Sequence, residues 1–120
     1  MKNYTAANIR NIGVFGHGGE GKTTLTEAML FNAGLLERLG KVENGTTTTD
    51  YDPEEVKRTI SINCALAPYE WKDVKVNIID APGFFDFYGE VTAAMAMADS
   101  ALIVVGAVSG PVVLFYCFQK

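Results

Sequence analysis

Apolar residues along this chain fall into runs of differing period, and most of these runs end on glycine, proline or charge. Ile9–Phe15 is crowded with apolar positions and leads straight into glycines, which predicts a buried strand. Over residues 22–33, Leu25, Ala28, Met29 and Phe31 recur at nearly helical spacing, with Gly34 placed to end the helix. Residues 40–53 are polar and threonine-rich, follow neither period, and predict a long mobile loop of the kind that often carries function. Residues 60–69 alternate as a strand does, Trp71-Lys72-Asp73 reads as a turn, and residues 74–79 form a second strand of an antiparallel hairpin. Asp80-Ala81-Pro82-Gly83 stops that strand, residues 84–88 form an aromatic loop, and the Ala/Met-rich residues 90–98 predict a helix. Residues 101–107 are the last clear strand. With no repeat, low-complexity tract or linker, one α/β domain accounts for the pattern.

Composition narrows the class. A 120-residue chain with 48% hydrophobic residues and a net charge of −4 suits one soluble, cytoplasmic domain. The acidic balance and scattered basic residues argue against a broad nucleic-acid surface, which needs clustered Lys and Arg. Met1-Lys2-Asn3-Tyr4 leads into polar residues rather than an apolar signal core, so secretion is not expected. Cys64 and Cys117 lack metal-ligand spacing, and two buried free thiols suit a reducing cytosol better than one disulfide. Residues 101–118 carry no charge and approach the length of a membrane span, but Ser109-Gly110-Pro111 interrupts them. The preferred reading is a buried parallel strand followed by an apolar tail, not a membrane segment.

The sharpest chemistry lies in Gly16-His17-Gly18-Gly19-Glu20-Gly21-Lys22-Thr23, which fits the phosphate-loop pattern G-x-x-x-x-G-K-[ST]. Such a loop turns successive backbone N–H groups inward to cradle an anion, and the following helix directs its positive end at it. Gly16 permits the turn and Gly21 allows close backbone approach. Lys22 would reach the β- and γ-phosphates, Thr23 would offer a hydroxyl to Mg²⁺, and Thr24 completes the nucleotide-binding run. Asp80, at the end of an apolar strand, is the natural second Mg²⁺ group, and the Gly83 N–H can sense the γ-phosphate. The fold expected is a P-loop NTPase, a three-layer α/β arrangement with a mostly parallel sheet.

These motifs resemble the translational GTPases of the elongation factor G type. Asn11-Ile12-Gly13-Val14 followed by residues 16–28 looks like the family's opening, and residues 77–83 with Asp86-Phe87 look like its second signature and switch II. Asp50-Tyr51 and residues 58–62 fall where the family has switch I. The likeness covers about residues 8–109. It implies a GTP-driven factor acting on the ribosome, with GTP and Mg²⁺ as cofactors and Lys22, Thr23, Asp80 and Gly83 in their nucleotide and metal roles. His17 follows the family pattern, either as a plain loop residue or with a chemical role.

Three positions depart from that pattern. Ser61 stands where the family usually has a threonine touching Mg²⁺ and the γ-phosphate; its hydroxyl preserves the role, the alternative being an ordinary strand serine. Gly19 replaces the aspartate the family links to a monovalent cation, so that cation is not expected here. Phe84 occupies the usual position of the histidine that orients the attacking water and cannot hydrogen-bond to it. Slow hydrolysis follows, unless Phe84 simply packs against the domain and water is held by other means.

An N-K-x-D motif, which would read guanine, is absent from the 120 residues, so the residues alone do not separate GTP from ATP. The expectation is a truncated G domain over residues 1–110 with an atypical apolar tail over 111–120, arising as a fragment or from an incomplete or shifted reading frame, and prone to self-association. The leading function is the GTP-binding part of an elongation factor G-like GTPase. The alternatives are a non-hydrolysing nucleotide switch or ribosome-interaction fragment, and a P-loop ATPase or kinase unrelated to translation.

Overall fold

The computed structural model describes residues 2–110. The apolar tail expected over 111–120, and Cys117 within it, lie outside the described residues. The strands β1 (Ile9–Phe15), β2 (Ala65–Trp71), β3 (Val74–Asp80) and β4 (Ser100–Ile103) form one sheet in the order β2-β3-β1-β4. β1 runs parallel to β3 and β4, and β2 is antiparallel to β3. The sheet is therefore mixed, with the expected hairpin at one edge. Lys72 and Asp73 both have positive φ and make its tight turn.

Three helices accompany the sheet: α1 (Lys22–Asn32), α2 (Pro53–Arg58) and α3 (Tyr88–Met97). Successive strand residues point to opposite faces, and the two cores follow from that alternation. Val14 and Ile78 pack with Leu30 of α1, whereas Phe15 and Ile79 pack with Val91 and Ala94 of α3. This gives the three layers expected from the sequence.

Two expectations change. The strand expected from residue 60 begins at Ala65, and the short helix α2 precedes it. Asp52 caps α2 by accepting from Glu54 N, while Glu55 Oε2 accepts from Asp52 N. Glu55 Oε1 then takes the N–H groups of Ile62 and Asn63 at 2.9 and 3.0 Å. Donors that a longer ladder would use are thereby committed to a buried carboxylate. The Asp-Pro-Glu-Glu run was the sequence signal for this helix.

The last strand is likewise shorter than residues 101–107, and it is not buried. It parallels β1, pairing Ile12 with Ser100 through Phe15 with Ile103, but it has only one neighbour among the described strands. Three of its four residues are exposed. Beyond Val104 the chain turns at residues 106–110, closed by a hydrogen bond from Gly110 N to Gly106 O. Among the described residues, no helix is long and apolar enough to cross a membrane.

Candidate functional site

The phosphate loop leaves β1 at Phe15 and enters α1 at Lys22. Gly21, immediately before the helix, has φ 89°, a left-handed conformation that a side chain would strain. The free N–H groups of the first turn of α1 thus face the loop, with the positive end of the helix behind them. Gly83 meets this loop from the end of β3, and its carbonyl accepts from Gly18 N at 3.0 Å. A Cβ on Gly83 would collide with Lys22 Nζ and Gly18 N, so this approach requires glycine.

A cavity of about 290 Å³ opens over the loop. Of the residues expected to bind nucleotide, Gly18, Gly19, Gly21, Lys22, Thr23 and Thr24 line it, joined by Gly83, Phe84 and Ser61. Gly16, His17, Glu20 and Asp80 are not in its wall. Glu20 instead accepts a hydrogen bond from the Ser109 hydroxyl of the terminal turn. Lys22 is buried, and its Nζ donates to His17 O at 2.9 Å. Burial pushes this ammonium below its ordinary pKa, against the upward pull of Asp80, Glu20 and Asp50.

The expected metal residues Thr23, Ser61 and Asp80 come together from three separate segments. Thr23 Oγ1 donates to Asp80 Oδ2 at 2.9 Å, and Ser61 Oγ donates to Asp50 Oδ1 at 2.6 Å. The two hydroxyl oxygens lie 3.2 Å apart. Each hydroxyl has a single proton, and both protons are already committed to carboxylates, so lone pairs face each other across this gap. Asp80 is 2% exposed; its Oδ2 also accepts from Thr49 Oγ1 at 3.0 Å, while Oδ1 is buried with no hydrogen-bond partner among the described residues. Burial raises the Asp80 carboxyl to about 6, only partly offset by the Thr23 and Thr49 hydroxyls and by Lys22. Burial also raises Asp50, opposed by the Ser61 hydrogen bond.

Electron-rich oxygens with an unsatisfied buried carboxylate atom make a setting suited to a hard cation. At the roughly 2.0–2.1 Å bonds of octahedral Mg²⁺, adjacent ligands stand about 2.9 Å apart, close to the spacings here.

Thr49 and Asp50 are site residues that the sequence reading did not assign to nucleotide or metal. Both are buried, in the middle of what was expected to be a mobile loop. The run of polar residues ahead of Asp52-Pro53 gave only a general signal. Phe84 sits against the phosphate loop: a Cβ on Gly18 would strike its ring, and its centroid lies 6.0 Å from that of His17. Cys64 is a half-buried free thiol whose Sγ donates to Glu90 O at 3.1 Å, and burial pushes it up to about 12.

Strand, glycine loop and helix, with an aspartate at the end of the adjacent parallel strand, define a P-loop nucleotide-binding fold. Residues 7–115 match the family described as the elongation factor Tu GTP binding domain, and the chain belongs to that family. The tetracycline resistance protein TetM of Enterococcus faecalis is 43% identical over 116 residues, covering 93% of this chain and 18% of that protein. Elongation factor G of Granulibacter bethesdensis is 42% identical over 110 residues, covering 92% of this chain and 16% of that protein. A crystal structure from Thermus thermophilus superposes with a TM-score of 0.90 at 44% identity, covering 95% of this chain and 17% of that one. The chain thus spans less than a fifth of the length of these relatives.

Proposed function

We propose that this chain binds the phosphates of GTP together with Mg²⁺, as the nucleotide-binding part of an elongation factor G-like translational GTPase acting on the cytoplasmic ribosome. The observation that carries this reading is that Lys22, Thr23 and Ser61 line a cavity over the phosphate loop, with the buried Asp80 held directly behind Thr23. Thr23, Ser61 and Asp80 would hold Mg²⁺, with Asp50 orienting the Ser61 hydroxyl. When bound, the metal neutralises charge on the phosphate oxygens. Lys22 adds a second positive charge, and the Gly83 N–H and the loop amides supply directed donors. Guanine and the ribosome are supported by family membership and by kinship with elongation factor G. The same kinship weighs against a non-hydrolysing interaction fragment and against an unrelated ATPase or kinase.

Phe84 presents a hydrocarbon ring at the cavity wall, where it can exclude water but cannot orient it. Hydrolysis is therefore proposed to be slow. The chain carries a phosphate half-site without N-K-x-D, so nucleotide binding in isolation should be weak. Calorimetric titration with Mg²⁺·GTP should give binding that chelation of Mg²⁺ weakens. Absence of binding at millimolar nucleotide would defeat the reading. A chimera placing residues 1–110 in elongation factor G should hydrolyse GTP with ribosomes more slowly than its Phe84→His variant. Equal single-turnover rates would refute the role given to Phe84.

A further inference from the structure

A further buried carboxylate, outside the phosphate site, is hydrogen-bonded to the loop that covers that site. Glu27 lies four residues after Thr23 on the same face of α1 and is 1% exposed. Among the described residues it belongs to no ion pair. Both of its oxygens go to a single residue of the loop: Oε2 accepts from Thr48 N at 3.0 Å and Oε1 from Thr48 Oγ1 at 3.3 Å. The other limb of the loop closes over the same carboxylate, because a Cβ on Gly40 would collide with Thr46 O and crowd Glu27 Oε1. The next two residues after Thr48 are those that reach the site, Thr49 through Asp80 and Asp50 through Ser61.

We propose that Glu27 is a positioning residue: it clasps the 40–50 loop through Thr48, and so sets Thr49 and Asp50 over the hydroxyl–carboxylate cluster. A buried carboxylate lacking a cation is costly unless its hydrogen bonds are well satisfied, and here a backbone N–H and a hydroxyl of one loop residue satisfy it. The clasp is specific in length, since the loop must return from Gly40 to Thr48 around one side chain. Its effect on Mg²⁺ rests on the function proposed above, whereas its effect on the loop does not.

The test uses the full 120-residue chain with two mild variants. Glu27→Gln keeps the shape but turns one acceptor into a donor, and Thr48→Val removes one hydroxyl from an exposed position. Without nucleotide, tryptic cleavage after Lys41 should speed up about tenfold in each variant, the size of one lost hydrogen bond to a charged group. The Mg²⁺ concentration giving half-maximal fluorescence of a bound N-methylanthraniloyl-GTP should rise by a similar factor. Binding of that nucleotide in EDTA should stay unchanged. In the double variant the effects should be less than additive. Unchanged cleavage would overturn the clasp. Faster cleavage matched by an equal loss in the thermal melt would also overturn it, by making Glu27 a general support of the fold. If the wild-type chain bound no nucleotide, the proposed function would fail while cleavage still judged the clasp.

Discussion

The phosphate loop and the 40–62 segment line one cavity but take their shapes from different sources. In the loop, Gly21 and the start of α1 follow one another directly, and Lys22 returns to a carbonyl five residues back. In the 40–62 segment, Thr48 reaches Glu27 across 21 residues and Thr49 reaches Asp80 across 31. Within it, the short helix α2 with its Asp52 cap and a 3-10 turn at Val42–Asn44 are the locally specified pieces. A site assembled in this way has one half shaped by neighbouring residues and another held by a few distant side chains. The second half is the one that single substitutions can release, because its position depends on individual hydrogen bonds.

On nucleotide affinity, the largest effect should come from the locally built half. Lys22→Ala removes the buried ammonium beside Asp80 and should weaken Mg²⁺·GTP binding by about ten- to 100-fold, as expected for hydrogen bonds to charged groups. Calorimetry would measure it, and a loss under about threefold would deny Lys22 a phosphate role.

Next comes Asp80, where the two halves meet. Without Mg²⁺ its folded carboxyl titrates at about 6, above the ordinary value of about 3.9. The folded state thus keeps this proton to higher pH than the unfolded chain does. The stability the group contributes is complete below about pH 4 and is lost as pH rises through about 6, a total of about 3 kcal/mol. Denaturant melts from about pH 4 to 8 should show this decline, and Asp80→Asn should flatten it. Saturating Mg²⁺ should reduce the decline, since the cation favours the ionised carboxylate. Identical slopes in wild type and Asp80→Asn would contradict this assignment.

A smaller change should follow in the half that depends on distant contacts. Thr49→Val deletes one of the two donors to Asp80 Oδ2 and should destabilise the Mg²⁺-free chain by about 1 kcal/mol. It should also raise the apparent carboxyl titration of Asp80, because a hydrogen bond to the ionised form is lost. The same pH-dependent melts would detect that upward move, and a downward move would count against the bond.

The smallest effect is a gain. Thr59 ends α2 with φ 55°, an uncommon conformation for a β-branched residue at a position glycine favours. Thr59→Gly should relieve strain of roughly 1 kcal/mol. Although Thr59 lines the cavity, its hydroxyl donates to Arg58 O, so the melt should rise without a large change in Mg²⁺·GTP affinity. A lower melt would mean that the freedom of the unfolded chain outweighs the strain.

Much of the locally built half was legible from residues alone. Ile9–Phe15, the start of α1 at Lys22 and the antiparallel hairpin stand where hydrophobic period and glycine punctuation placed them. Residues 60–64 misled because an alternating pattern reads as strand, whereas Glu55 withdraws the N–H groups of Ile62 and Asn63 from the ladder. The last strand misled because continuous apolar residues read as buried, yet with one neighbour among the described strands three of its four residues are exposed. Neither fact resides in the local window from which a period is read.

Residue order was enough to specify the phosphate loop, the aspartate closing β3 and the α/β succession of elements, because each depends on residues within a turn or two of one another. Folding had to bring Thr49 and Asp50 into the site, bury Glu27 beneath their loop, and commit the protons of Thr23 and Ser61 to carboxylates. Those outcomes depend on which distant oxygens come within hydrogen-bonding reach, and only the packed chain sets those distances.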